Sequence, residues 1–345
     1  MSAPEFQTHL EELRTVVEAA LKAELGRVGW PDSLKEAVEY SLMAGGKRLR
    51  PVLVLLANEV CRGNRDDAIA SACAIEMVHT YSLIHDDLPS MDDDDFRRGR
   101  PTSHRVFGEA LAILAGDCLL TQAFETISSA GVDPGRIAML VRILAGAAGG
   151  GGMVGGQVLD LEAERGAFGK AGCDVTAIAV GNDDASGVHT AADSAISRGG
   201  TRSRSGNSEQ NDSNRTPETR VVELTRIHKM KTGALITAAL ELGAVTASAD
   251  LEEIARLRRY GYCIGLAFQI ADDLLDVTGD PTRLGKTPGR DADLGKLTYP
   301  SLLGIEPSRA RAQQLVQDAC GAVDAFGERS RWLKELARFI VERDH

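Results

Sequence analysis

The sequence has no closely spaced cysteine pair. Cys61, Cys73, Cys118, Cys173, Cys263 and Cys320 lie far apart, with no CxxC among them. That spacing excludes a compact zinc module and does not suit a small disulfide scaffold, so reduced thiols in a cytoplasmic protein are expected. Basic charge is also short: 39 Lys and Arg against 50 Asp and Glu leave a formal net charge of -11. A nucleic-acid footprint would show as a basic stripe, so no nucleic-acid partner is expected. A phosphate ligand is not excluded, because divalent cations can invert the local charge. The opening MSAPEFQTHLEEL lacks an apolar signal core. No run reads as long and apolar enough to cross a bilayer, so stable membrane insertion is not expected. Alternating strand patterns bounded by hairpin turns are missing. No convincing Ser-His-Asp or Cys-His arrangement suggests a covalent nucleophile.

What remains is helical periodicity in a chain of 345 residues, long enough to bury a substantial core. Phe6, Leu10, Leu13, Val17, Ala20 and Leu21 repeat at three- and four-residue steps and predict a first amphipathic helix. PVLVLLANEVCRG opens on Pro51, a favoured first helical residue, and closes on Gly63. From Asp66 the chain runs nearly all-apolar to Asp86 and Asp87, which predicts a buried helix. Further helices are expected at 103–128, 134–148, 153–164, 222–244, 251–276 and 307–342, with Gly149 to Gly152 as a break. The fold class is all-α. From about 167 to 220 the chain turns to Ser, Asn, Gly, Asp and Arg, which cannot offset ordering entropy. This stretch reads as a disordered insertion interrupting a single domain.

Chemistry concentrates in two acidic groups. HDDLPSMDDDDFRRGRPTSH, at 85–104, sets six aspartates within ten residues directly before Arg97, Arg98 and Arg100. FQIADDLLDVTGD, at 268–280, again ends an apolar helix in paired aspartates, with Asp272 and Asp276 sharing a face and Asp273 beside them. Asp86 and Asp92 are six apart, but Pro89 between them distorts the helix and could bring both carboxylates to one point. Oxygen-only ligands without His or Cys select a hard cation, Mg²⁺ first, completed by substrate phosphates. Asp93, Asp94 and Asp95 read as a solvated acidic loop. GGKRLRP, at 45–51, sets Lys47, Arg48 and Arg50 beside a flexible glycine turn, a plausible anion clamp. His79 lies about two turns before Asp86, near the same face.

DDLPSMD, RRGRP, GGKRLRP, KTGAL, FQIADDLLD and GDPTRLGKTPGRD together resemble the short-chain trans-prenyltransferases, most closely the bacterial farnesyl diphosphate synthases. The resemblance covers nearly the whole chain outside the insertion. It implies a helical bundle of the isoprenoid-synthase type around a deep cavity, three Mg²⁺ per active site with substrate bound, and a homodimer. It makes Asp86 and Asp92 metal ligands on one wall, with Asp87 nearby. On the other wall it makes Asp272 the main ligand, supported by Asp273 and Asp276. Arg97, Lys231 and Lys286 would grip the allylic diphosphate, with Lys296 a looser match. Lys47, Arg50, His79 and Arg98 would hold isopentenyl diphosphate, while Thr232 and Gln269 would face the developing carbocation. Gln157 and Asp160 match a further motif lining the cavity. Tyr81, with Ser82 one turn below Asp86, fits a bulky floor that limits the product to fifteen carbons.

The implied reaction ionises an allylic diphosphate, adds isopentenyl diphosphate and eliminates a proton, giving farnesyl diphosphate and pyrophosphate. Three rival readings stand beside it: a geranylgeranyl diphosphate synthase, a terpene cyclase, and a non-catalytic subunit that modulates a partner synthase.

Overall fold

The computed structural model describes residues 3–164, 216–278 and 297–342. Most of the expected insertion lies outside them, as do Lys286 and Lys296. Helices α1 (Ala3–Arg27), α2 (Asp32–Leu42) and α3 (Leu49–Val60) lead into α4 (Arg65–Asp86). Asn64 caps α4 by accepting the Asp66 N–H at 3.3 Å, and Asp66 and Asp67 place negative charge at its positive end. A two-stranded ribbon, β1 (Phe96–Arg97) with β2 (Arg100–Pro101), precedes α5 (Ser103–Phe107) and α6 (Glu109–Ser128). Next come α7 (Pro134–Ala148), α8 (Met153–Glu164), α9 (Pro217–His228), a π-turn (Lys229–Gly233), α10 (Ala234–Thr246) and α11 (Leu251–Thr278). The described chain closes with α12 (Tyr299–Leu303), α13 (Ile305–Ala322), a 3₁₀ segment (Asp324–Ser330) and α14 (Arg331–Glu342).

The all-α class stands; the helices expected over 222–244 and 307–342 are interrupted at Lys229–Gly233 and Asp324–Ser330, and other departures have a local cause. The helix expected over 103–128 is cut at Gly108, whose φ of 81° only glycine adopts cheaply. The ribbon was hidden because RRGR is so short; Arg98 and Gly99 both take positive φ, as a tight two-residue hairpin turn requires. Thr216 caps α9 through the Thr219 N–H, so the last residues of the expected insertion belong to a helix.

Packing gathers around three buried helices. α4 lies on α6 and α3, α10 on α3, α7 and α11, and α11 on α13. The Tyr260 hydroxyl donates to the Leu333 carbonyl at 2.6 Å and ties α11 to the start of α14. One expectation about apolar runs needs correction: Glu109–Ser128 and 134–164 are both long and apolar enough to cross a membrane by composition. The second is broken at Gly149–Gly152 into α7 and α8, and α6 packs along α4 while keeping apolar residues on its outer face.

The described cysteines are unpaired. Burial pushes the Cys61 and Cys73 thiols up to about 12. Since the thiolate is the nucleophile, iodoacetamide at pH 8 should alkylate both far more slowly in the native protein than after denaturation. Peptide mapping that finds equal rates would contradict this packing.

Candidate active site

The site begins where α4 ends. Beyond Asp86 the chain curls back on the helix: the Asp92 N–H donates to the Asp86 carbonyl at 2.9 Å, and the Asp93 N–H to that of Leu88 at 3.1 Å. The break at Pro89 therefore does return Asp92 to the helix end. Burial pushes the Asp86 carboxyl up to about 6; Asp92 and Asp87 add to the shift, while Lys231 and Arg97 oppose it. This is a knot of carboxylates short of positive charge. Among the described residues no three His, Cys, Asp or Glu side chains form a ready metal cage. Mg²⁺ needs only one or two protein carboxylates when phosphates complete its shell, so the knot fits that ion.

Two aspartates here behave differently from the sequence expectation. Asp87 is buried and engages Arg97, with Nε and Nη2 both 2.6 Å from Oδ1. Asp94 was expected in a solvated loop but is only 9 % exposed; its carbonyl accepts the Thr102 hydroxyl at 2.7 Å, and its carboxylate lies 3.9 Å from Arg97. Asp95 is exposed and pairs with Arg105 at 3.0 Å. Arg97 is thus committed to carboxylates, and an incoming phosphate must compete for it.

The basic segment splits by depth. Arg48 is fully inside, donating to Glu76 at 2.7 Å and to the Leu42 carbonyl at 2.7 Å, with Glu18 at 3.6 Å. It belongs to the packing rather than to an open anion clamp. Lys47 is exposed and Arg50 half-buried. Burial lowers Arg50 to about 10, with Arg98 adding and Glu76 and Asp272 opposing, and its Nε has no partner. The Arg50 Nε is a buried donor that an anion could satisfy. The hairpin turn carries Arg98 across Gly46, where an added Cβ would lie 2.6 Å from its guanidinium carbon; Arg98 also donates to the Gly45 carbonyl. His79 is held well below the usual imidazole range by burial, then by Arg50, Arg98, Arg97 and Arg48. It stays neutral, and it links the groups: Arg97 acts on both His79 and Asp86, while Arg50 acts on both His79 and Asp272.

The opposite side comes from α11, α8 and the π-turn. Gln269, Asp272 and Asp276 are half-buried on α11. Asp273 is buried and accepts the Tyr299 N–H at 2.9 Å, so it fixes α12 instead of facing an open site. Lys231 donates to Asp160 at 2.5 Å from the π-turn, a distortion common at functional positions. Thr232 follows it, half-buried like Gln157 on α8. Gly156 lets α8 approach: an added Cβ there would lie 2.6 Å from the Lys231 Cα.

Sequence reasoning missed Glu76 and His228. Glu76 is a lone acid inside an apolar helix, which signals a buried partner. His228 is buried beside Lys231 and Asp160; burial lowers its pKa to about 4, with Asp160 opposing, and its Nδ1 is unpartnered. Nothing in its spacing announced this.

Below Asp86, Tyr81 is 6 % exposed and meets the His85 ring edge-on at 5.7 Å. His85 is seated against α6: one ring nitrogen lies 3.1 Å from the Ile113 carbonyl, and a Cβ on Gly116 would stand 2.5 Å from its Cδ2. The Ser82 hydroxyl donates to the His79 carbonyl at 2.9 Å.

Comparisons with known proteins identify the family. The family model described as polyprenyl synthetase matches residues 31–171 and 194–331, leaving a gap inside the expected insertion. A dimethylallyltranstransferase of Fischerella ambigua is 41 % identical over 339 residues, covering 98 % of this chain and 83 % of that protein. A chloroplastic geranylgeranyl pyrophosphate synthase of Capsicum annuum is 40 % identical over 343 residues, covering 99 % and 79 %. Among solved structures, an FPP/GFPP synthase from Zymomonas mobilis superposes with a TM-score of 0.74 at 34 % identity, covering 99 % of this chain and 100 % of that one. A geranylgeranyl pyrophosphate synthetase from Pyrococcus horikoshii gives 0.76 at 28 % identity, covering 99 % of each.

Proposed function

Because this chain belongs to the polyprenyl synthetase family and is a prenyltransferase, we propose that it condenses isopentenyl diphosphate with dimethylallyl or geranyl diphosphate and stops at farnesyl diphosphate. The observation that carries the chain length is Tyr81, buried below Asp86 and braced by His85, which is itself wedged on Gly116. A supported aromatic ring makes a firm floor.

Arg50, His79, Lys47 and Arg98 hold the diphosphate of isopentenyl diphosphate; neutral His79 offers a hydrogen bond without adding another buried charge. Asp86, Asp92 and Asp272 would hold Mg²⁺, with Asp87, Asp273 and Asp276 behind them. Mg²⁺ bound there would supply positive charge for a departing pyrophosphate. Lys231 and Arg97 turn from Asp160 and Asp87 toward the allylic diphosphate; Lys286, given the same role by the resemblance, lies outside the described residues. The allylic C–O bond breaks, with Thr232 and Gln269 directing oxygen dipoles at the carbocation. The isopentenyl double bond forms the new C–C bond, and the released pyrophosphate takes the proton. No side-chain nucleophile takes part.

The protein works in the cytoplasm as a homodimer. Ile113 and Leu114 on α6, 42 % and 56 % exposed, support burial of this face against a second copy.

A product assay tests the reading. Purified protein with Mg²⁺ and both substrates should give farnesol after dephosphorylation, and Tyr81→Ala should shift the main product to geranylgeraniol. Geranylgeraniol from the unaltered enzyme favours the longer-chain alternative, consistent with the names of several relatives. A Tyr81→Ala enzyme that still stops at farnesol removes the floor. No condensation by folded protein favours a modulating subunit.

A further inference from the structure

Behind the π-turn, on the face formed by α7, α10 and α11, lies a pocket of about 420 Å³, within the size range of small-molecule sites. Its lining includes a small-residue apolar surface of Gly146, Ala147, Gly233, Ala238 and Leu266. Three cations, Arg142, Lys229 and Arg258, line it as well. Arg258 is neutralised by Glu241 through two bonds of 2.8 and 2.9 Å. Arg142 and Lys229 have no anionic partner among the described residues, and Lys229 rests on the Tyr262 ring at 4.5 Å. Such a site suits one kind of occupant: an apolar chain over the small-residue surface with an anionic head between Arg142 and Lys229. Lys229 and Gly233 are the first and last residues of the turn that presents Lys231 and Thr232. Whatever fills the pocket therefore touches both ends of a catalytic segment.

We propose that this pocket is a second binding site for a long-chain allylic diphosphate, the product class of the enzyme, through which product acts on the Lys231 turn. The proposal rests on the prenyltransferase reading above. An occupant here meets Lys229 and Gly233, which line the pocket, whereas Asp160 and Gly156 do not. It reports product level to the turn without entering the condensing cavity.

The test is an isothermal titration of the full chain, in Mg²⁺, with an unreactive farnesyl thiodiphosphate. Two classes of site per protomer are expected. The double variant Arg142→Ser/Lys229→Ser should weaken one class by roughly tenfold or more, as the loss of two charge-assisted contacts predicts, and leave the other unchanged. Asp86→Asn/Asp272→Asn should do the reverse. Retention of the other class in each variant serves as the control for folding. A single class in the unaltered protein, or two classes that survive Arg142→Ser/Lys229→Ser unchanged, overturns the pocket. If instead the class insensitive to Arg142→Ser/Lys229→Ser also survives loss of the aspartates, the condensing-site assignment fails while the pocket is upheld. Inorganic pyrophosphate and farnesol, titrated separately, should each bind the pocket more weakly than the joined molecule; equal affinity of either fragment rejects an amphiphilic site.

Discussion

Asp86→Asn should lower kcat by roughly a thousandfold, the upper range for removing one preorganised electrostatic group, yet make the metal-free protein more stable at neutral pH. The second effect follows from burial. Burial pushes the folded carboxyl up to about 6, against 3.8 for a free aspartate. A carboxyl whose pKa is raised by folding contributes its full stability below the unfolded value and loses it as pH rises through the folded one. At pH 7 the charged form is held at a cost of about 1–3 kcal/mol, allowing for its partial exposure. Asparagine removes that cost. Thermal melts without Mg²⁺ should show the variant a few degrees above the unaltered protein at pH 7, with the gap roughly halved at pH 5 and closed only below the unfolded value of 3.8. Saturating Mg²⁺ and a diphosphate should reverse the order. A variant that melts lower at pH 7 would mean that Asp86 is not strained, and that its partners already satisfy it.

Gly156→Val should reduce kcat/KM for the allylic substrate by about a hundredfold, the effect of misplacing a reacting group by roughly 1 Å. Contact with the turn is through backbone, with Lys231 Cα at 2.6 Å and Met230 C at 2.8 Å from an added Cβ, so no flexible side chain can yield. Either α8 withdraws or the π-turn shifts, and both separate Lys231 from Asp160. The clamp proposed for isopentenyl diphosphate lies elsewhere, on α3, α4 and the hairpin, so the KM for that substrate should hardly move. Equal losses for both substrates would point to general unfolding, which melting curves detect. Undiminished activity would show that Lys231 is not positioned by this contact.

Much of the scaffold could be read from periodicity, because a buried helix needs its apolar residues at fixed intervals whatever it packs against. The acidic ends of α4 and α11 stood out for a related reason: charge at the end of an apolar helix is costly unless something compensates it. Pro89 and the glycine break at 149–152 are local stereochemistry and were equally legible. Composition alone misjudged α6. Its outer face mixes Ile113 and Leu114 with Asp117 and Glu125, and its packing along α4 marks a bundle helix where length and hydropathy would also allow a membrane span.

The division of labour among like residues was decided in space. Nothing in DDLPSMDDDDFRRGRP says that Asp87 and Asp94 sink with Arg97 while burial pushes the Asp86 carboxyl up. Nor does GGKRLRP say that Arg48 turns inward to Glu76, twenty-eight residues away, while Arg50 keeps an unpartnered donor. Helix type and element order are set by interactions a few residues long, which the chain writes in its own spacing. Which charge is paired, which is buried and which is left for a ligand depends on neighbours brought together by the fold, and on the low-dielectric surroundings they share.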